Sequence, residues 1–148
     1  MATARVRPMV EGDLVPVVAI EAEAFTTPWK AETFRSLLGR DHAKPLVLEL
    51  PEAGVVGYAI LWCIVDQGEI ANIAVHEGWR GRALGAFLLD QVIDVSRGAG
   101  VRVLFLEVRE SNGAAAALYD SRGFVEIGKR RNYYTEPRED ARVLEKRL

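Results

Sequence analysis

Glu107 stands in the stretch Phe105-Leu106-Glu107-Val108, where a carboxylate interrupts a run that otherwise reads as buried strand. Burial without a partner costs several kcal/mol and disfavours the charged form, which moves a carboxyl toward the range of a general base. Side-chain alternation puts Glu107 on the strand face of Val103 and Phe105. A solvated strand end, or an ion pair with Arg109, would place the same residue type there without any catalytic use. Tyr119 follows Asn112 by seven residues, nearly two helical turns, so both can face one side of a short helix. Asn112 reads equally as a helix N-cap and Tyr119 as a half-buried packing residue. Beside an acceptor, however, a phenol with an ordinary pKa of about 10 can donate a proton to a departing thiolate whose conjugate acid titrates near 8.5. Glu69 is a second candidate base, grouped by alternation with Ala71, Ile73 and Val75. His76 lies just past that strand, in a loop that suits a solvated imidazole. Cys63 sits in an apolar strand with no basic neighbour to activate it and reads as a small core residue.

A second kind of chemistry is written in Trp79-Arg80-Gly81-Arg82-Ala83-Leu84-Gly85, between a strand ending at Val75 and a helix starting near Leu84. Free backbone N–H groups at a helix start point outward, backed by a dipole equivalent to about half a positive charge, and this favours a phosphate. Arg80 and Arg82 add donors, and glycines let the backbone approach an anion. A plain glycine-containing connector has the same composition, so the segment alone leaves both readings open.

The elements that must hold these groups follow from periodicity. Residues 3–9 read as a short strand, followed by a helix from Leu14 to about Phe25 that Pro28 stops, and a shorter helix from about Lys30 to Leu38. Leu46–Leu50, Val55–Val65 and Gly68–Val75 read as strands joined by turns at Pro51-Glu52-Ala53-Gly54 and Asp66-Gln67-Gly68. A helix from about Leu84 to Arg97 comes next, then a strand from Val101 to Val108, read as covered on both faces. A helix from Gly113 to Ser121 and strands at about Phe124–Arg131 and Asp140–Lys146 complete the chain. The expected fold class is α+β: a mixed, mostly antiparallel sheet with helices on both faces, in one domain spanning 1–148.

Composition limits the function classes. The chain has 148 residues, 49% hydrophobic, with 19 basic against 21 acidic side chains and a formal charge of −2. That balance does not suggest binding to a nucleic-acid backbone, so any anion site is local. One cysteine and two histidines offer no set at metal-ligand spacing, and no apolar run reaches the 18 or so residues of a membrane span. The expected location is the cytoplasm, without metal, membrane or direct nucleic-acid contact.

Together the segments resemble the GNAT acetyltransferase superfamily, and within it the bacterial ribosomal-protein alanine N-acetyltransferases of the RimI type. The resemblance spans nearly the whole chain and rests on several blocks in one order. These are Phe25-Thr26-Thr27-Pro28-Trp29, Asn72-Ile73-Ala74-Val75, Leu106-Glu107-Val108-Arg109-Glu110-Ser111-Asn112, Ala117-Leu118-Tyr119, Gly123-Phe124, Arg130-Arg131-Asn132-Tyr133-Tyr134 and Arg138-Glu139-Asp140-Ala141. It implies direct transfer of acetyl from acetyl-CoA to the α-amine of a protein N-terminus, the acceptor being a small-subunit ribosomal protein. In that pattern Ile73, Ala74 and Val75 hold the thioester and pantetheine, with the Val75 N–H on the thioester carbonyl. Gly81, Arg82, Ala83, Leu84, Gly85 and Ala86 match the pyrophosphate loop, Asn112 a coenzyme-binding residue, Glu107 the proton acceptor and Tyr119 the proton donor. Phe25, Trp29, Glu69, Tyr133 and Tyr134 would border the acceptor groove. The chain departs from the pattern at Ala83, which stands where the family has the first glycine of its turn; a left-handed alanine costs about 1–2 kcal/mol. The same fold hosts acetylation of lysine side chains or small amines, and a module that binds acyl-CoA without transfer is the non-enzymatic alternative.

Overall fold

The computed structural model describes residues 3–148, so of the expected span 1–148 only Met1 and Ala2 lie outside the described residues. Seven strands, β1 (Arg5–Pro8), β2 (Ala43–Leu50), β3 (Gly54–Ile64), β4 (Gln67–Val75), β5 (Val103–Arg109), β6 (Val125–Thr135) and β7 (Arg138–Arg147), form one sheet in the order β1-β2-β3-β4-β5-β7-β6. Every neighbouring pair is antiparallel except β4 and β5, which are parallel and joined through a helical crossover. The helices are α1 (Leu14–Ala24), α2 (Ala31–Leu37), α3 (Leu84–Gly98) and α4 (Gly113–Ser121). The expected α+β class and strand order along the chain agree with this architecture.

Two cores lie on opposite faces of the sheet. Leu88, Leu89, Val92 and Ile93 of α3 and Tyr119 of α4 pack on Leu61, Ile70, Leu104 and Leu106. On the other face Leu14, Val17 and Ile20 of α1 and Phe34 and Leu37 of α2 cover Val47, Tyr58 and Ile60. Both cores exclude water from apolar side chains, the main favourable term in folding. The second core stops at the middle of the sheet. Val103, Phe105, Glu107 and Arg109 of β5 are therefore only half-buried, alternating with buried Leu104, Leu106 and Val108. The expectation of a strand covered on both faces is corrected: β5 has one buried face, and its other face opens into a cavity.

Two local departures set up that cavity. The β3–β4 turn is Val65-Asp66, because Ile64 pairs with Gln67, and not the expected Asp66-Gln67-Gly68. Gly68 lies inside β4, where a Cβ would come within 3.0 Å of the Leu104 side chain, so its lack of a side chain serves packing and not turning. Further along, Ile60 pairs with Asn72 but Leu61 with Ile70, which leaves Ala71 as the extra residue of a β-bulge. The bulge reverses the alternation. Glu69 is therefore separated from Ile73 and Val75, which pack toward α3, and shares the opposite face with Phe105 and Glu107. The expected grouping of Glu69 with Ile73 and Val75 is thereby overturned.

A candidate active site where two parallel strands part

The parallel ladder between β4 and β5 runs only from Gln67↔Val103 to Ile70↔Leu106 and ends at the bulge. Beyond it, Asn72–Val75 pair with β3 alone. The His76 N–H donates to the Val56 carbonyl at 2.7 Å, so by antiparallel alternation the Val75 N–H turns the other way, toward the gap. The Val75 carbonyl accepts from Arg80 Nε at 3.2 Å, which ties the glycine turn to the strand end. Ile73, Ala74 and Val75 thus border an opening into which the Val75 N–H turns, away from β3.

At the foot of the gap the turn enters α3. Gly81 has φ of 78° and Ala83 φ of 61°, both left-handed. Ala83 is the N-cap of α3 and provides no side-chain cap, so the first-turn N–H groups of Leu84, Gly85 and Ala86 are left without one. The Arg82 guanidinium stacks over the Trp79 ring, 4.7 Å from its centroid. A Cβ on Gly85 would meet nothing closer than 3.8 Å, so packing within the protein does not demand glycine there. The geometry is that of an exposed anion cradle. The left-handed backbone at Ala83 is the strained alternative raised by its sequence, at a cost of about 1–2 kcal/mol.

On the opposite side of the gap, Trp62, Glu69, Phe105, Glu107, Arg130 and Val143 border a cavity of about 410 Å³. Glu107 pairs with Arg130 Nε through Oε1 at 2.9 Å, while its Oε2 is buried with no hydrogen-bond partner. The ion pair between Glu107 and Arg109, one of the non-catalytic alternatives, does not form; Arg109 bonds Glu139 instead, at 3.1 Å. Interaction with the Glu107 carboxylate, reinforced by burial, pushes the Tyr133 phenol up to about 12. Burial, and then the charge of Glu107, also raises Tyr134, with Arg109 opposing. Tyr119 of α4 is buried, packs edge-on to Phe124 at 5.6 Å and is pushed up to about 12 by burial and then by Tyr134. Asn112 caps α4, its side-chain oxygen accepting from the Ala115 N–H at 3.3 Å.

Phe25, Trp29, Tyr133 and Tyr134, expected to border an acceptor groove, come from distant parts of the chain and do not line the cavity. Phe25 follows α1 and is 38% exposed, and the Trp29 ring packs on Phe34 at 5.5 Å. Tyr133 and Tyr134 stand edge to face at 5.1 Å on the β6–β7 hairpin. His76 accepts from the Gly78 N–H at 3.0 Å, a local cap, and Cys63 is buried with its thiol pushed up by burial; both match their non-catalytic readings.

One buried carboxylate escaped the sequence reading. Glu21 of α1 is 1% exposed and accepts from the Tyr58 hydroxyl, from Asn72 Nδ2 at 2.9 Å and from the Trp29 N–H at 2.9 Å. The signal was present: Leu14, Val17 and Glu21 fall at i, i+3 and i+7, on the apolar stripe of the helix.

Among the described residues no cluster suited to a metal ion is found, and no helix is long and apolar enough to cross a membrane. Residues 14–124 match the model of the acetyltransferase (GNAT) family. A protein of Escherichia coli K12 named [ribosomal protein bS18]-alanine N-acetyltransferase is 41% identical over 135 residues, covering 89% of each chain. One of the same name from Haemophilus ducreyi is 35% identical over 140 residues, covering 92% of this chain and 94% of the relative. The crystal structure of the ribosomal-protein-S18-alanine N-acetyltransferase from Escherichia coli superposes with a TM-score of 0.89 at 35% identity, covering 99% of this chain and 94% of that one.

Proposed function

The chain belongs to the acetyltransferase (GNAT) family, and from that premise we propose that it transfers acetyl from acetyl-CoA to the α-amine of the N-terminal alanine of ribosomal protein bS18. The observation that carries the acceptor is the near-full-length similarity to proteins named for that reaction. The cytoplasm, where ribosomal proteins are made, is the location this reading implies.

The cradle of Gly81, Arg82, Ala83, Leu84, Gly85 and Ala86 takes the pyrophosphate of the coenzyme. Asn112 supports it at the start of α4. Pantetheine runs along Ile73 and Ala74 into the gap, and the Val75 N–H donates to the thioester oxygen, where negative charge grows as the carbonyl is attacked. The acceptor enters between Phe25 and Trp29 on one side and Tyr133 and Tyr134 on the other, past Glu69.

An amine attacks only when neutral. An N-terminal α-amine, with pKa about 7.7–8.0, needs roughly one unit of help at pH 7, against more than three for a lysine near 10.4. Glu107 supplies it: Arg130 holds one carboxylate oxygen, and the other takes the amine proton directly or through a water. The C–N bond forms at the carbonyl carbon, the tetrahedral intermediate collapses, and the C–S bond breaks. Tyr119, kept protonated by its raised pKa, donates its O–H to the departing sulfur. With thiols titrating near 8.5, this donation acts chiefly by stabilising charge on sulfur in the transition state.

The test is mass spectrometry after incubation with acetyl-CoA and a bS18 N-terminal peptide, beside an α-blocked, lysine-containing version. Product on the free N-terminus alone is expected. Product on the blocked peptide would move the acceptor to lysine.

A further inference from the structure

The two walls of the proposed acceptor groove, the loop after α1 and the β6–β7 hairpin, share no element, yet one side chain bonds both. Arg109, at the end of β5 and 23% exposed, donates through one terminal nitrogen to the Pro137 carbonyl at 3.0 Å and Glu139 Oε1 at 3.1 Å. Its other terminal nitrogen donates to Thr26 Oγ1 at 3.1 Å and to the Glu136 carbonyl at 3.2 Å. Its guanidinium plane lies 4.2 Å from the centroid of the Tyr134 ring. Glu139 is held in turn by the Ser111 N–H, so the hairpin is fixed to the chain just past β5 as well. Among the described residues no other hydrogen bond or ion pair joins the segment Phe25–Trp29 to the hairpin.

We propose that Arg109 is a positioning residue for the acceptor: a clamp that sets the width of the groove by bonding Thr26 on one wall and the hairpin turn on the other, with Tyr134 stacked beneath. Neither Glu107 nor the coenzyme cradle is bonded to it. The planar fork is required, because four acceptors and an aromatic face converge from different directions on one group. A guanidinium carries five donors in a fixed plane and stacks on rings, whereas the ammonium of lysine offers three donors from a single point. The clamp also explains why a threonine follows Phe25: its hydroxyl is the loop's only side-chain link to the hairpin.

The inference rests on the acceptor reading for its kinetic consequence, and its structural half is measurable without any acceptor. Two variants separate the clamp from a general loss of folding. Arg109→Lys removes the fork and keeps the charge, and Thr26→Val severs only the loop contact at nearly constant volume. Arg109→Lys, which loses part of the fork, is expected to raise KM for the bS18 peptide roughly tenfold. Thr26→Val is expected to raise it a few-fold. In both, KM for acetyl-CoA stays within about twofold, since uniform loss of acceptor binding leaves the coenzyme side untouched. Hydrogen–deuterium exchange on the proteins without substrates is expected to speed up at the amides of Phe25–Trp29 and of the hairpin turn, with α3 unchanged. Unchanged exchange in the loop, or KM values for both substrates rising together, would overturn the clamp. A wild-type protein that leaves the peptide unmodified would sink the acceptor reading, and the exchange measurement would still decide the clamp.

Discussion

Glu21 and Glu107 are both carboxylates carried into the protein by apolar elements, and they are finished differently. Glu21 is 1% exposed and both its oxygens are occupied, by the Tyr58 hydroxyl, the Asn72 amide and the Trp29 N–H. Glu107 lies at the rim of a cavity with one oxygen held by Arg130 and the other buried without a partner. A saturated carboxylate lowers the energy of the fold and has no lone pair to spare. An unsaturated one costs stability, and the structure keeps it where an amine can arrive. Position in a core thus does not distinguish the two carboxylates; the count of hydrogen bonds does.

The comparison is broken most directly at Glu107. Glu107→Gln keeps the shape and removes the proposed base, so turnover on the bS18 peptide should fall about 10²–10⁴-fold. The thermal midpoint should hardly move, because no saturated network is lost. Steady-state rates together with a melting curve check both halves. A variant with wild-type turnover would leave the orphan oxygen without a function.

The converse experiment is Glu21→Ala. It leaves the Tyr58 hydroxyl, the Asn72 amide and the Trp29 N–H unsatisfied in a closed core, each worth about 1–3 kcal/mol. A loss of about 3–5 kcal/mol in unfolding free energy is expected by denaturant titration, with kcat of the folded fraction within a few-fold of wild type. A collapse of kcat without loss of stability would place Glu21 in the chemistry and dissolve the contrast.

Much of the contrast was legible in the chain and part was not. Glu107 stood out because it interrupts an apolar run, and Tyr119, Asn112 and the glycine turn announced themselves by spacing and by family resemblance. The helices were placed within a few residues, since the patterns of α3 and α4 are local. Ala71 carries no mark of a bulge, because the extra residue exists only in register with β3; without it the face of Glu69 could not be read correctly. Glu21 is marked in the sequence only by its place on the apolar stripe of α1, since its partners Tyr58 and Asn72 lie 37 and 51 residues away. The left-handed backbone at Ala83 was raised by its place at a family glycine but decided only by the fold.

A pH measurement sharpens what Glu107 does to its surroundings. The Tyr133 phenol is pushed up to about 12 chiefly by its side-chain interaction with that carboxylate, which favours the protonated phenol, then by burial, with the carboxylate's negative charge adding to both. The unfolded chain releases this proton near 10 and the folded chain holds it until about 12. The contribution of Tyr133 to stability is therefore full below pH 10 and is lost as pH rises through that window. In Glu107→Gln the folded value should drop toward 10, seen in the ultraviolet absorbance of phenolate as one tyrosine titrating earlier than in the wild type. An unchanged titration would mean that burial alone holds Tyr133.

The smallest effect should come from Arg130. Its guanidinium is 60% exposed, and an ion pair open to water on one side contributes no more than about 1 kcal/mol and weakens with salt. Arg130→Gln should therefore melt within a few degrees of the wild type and change turnover only a few-fold, with added salt erasing most of the difference. This follows from the proposed division of labour on the carboxylate, in which Arg130 steadies one oxygen and the other receives the proton. If Arg130→Gln instead lost as much turnover as Glu107→Gln, the ion pair and not the orphan oxygen would define the site. Glu107 would then resemble Glu21, an acid whose use lies in its partners.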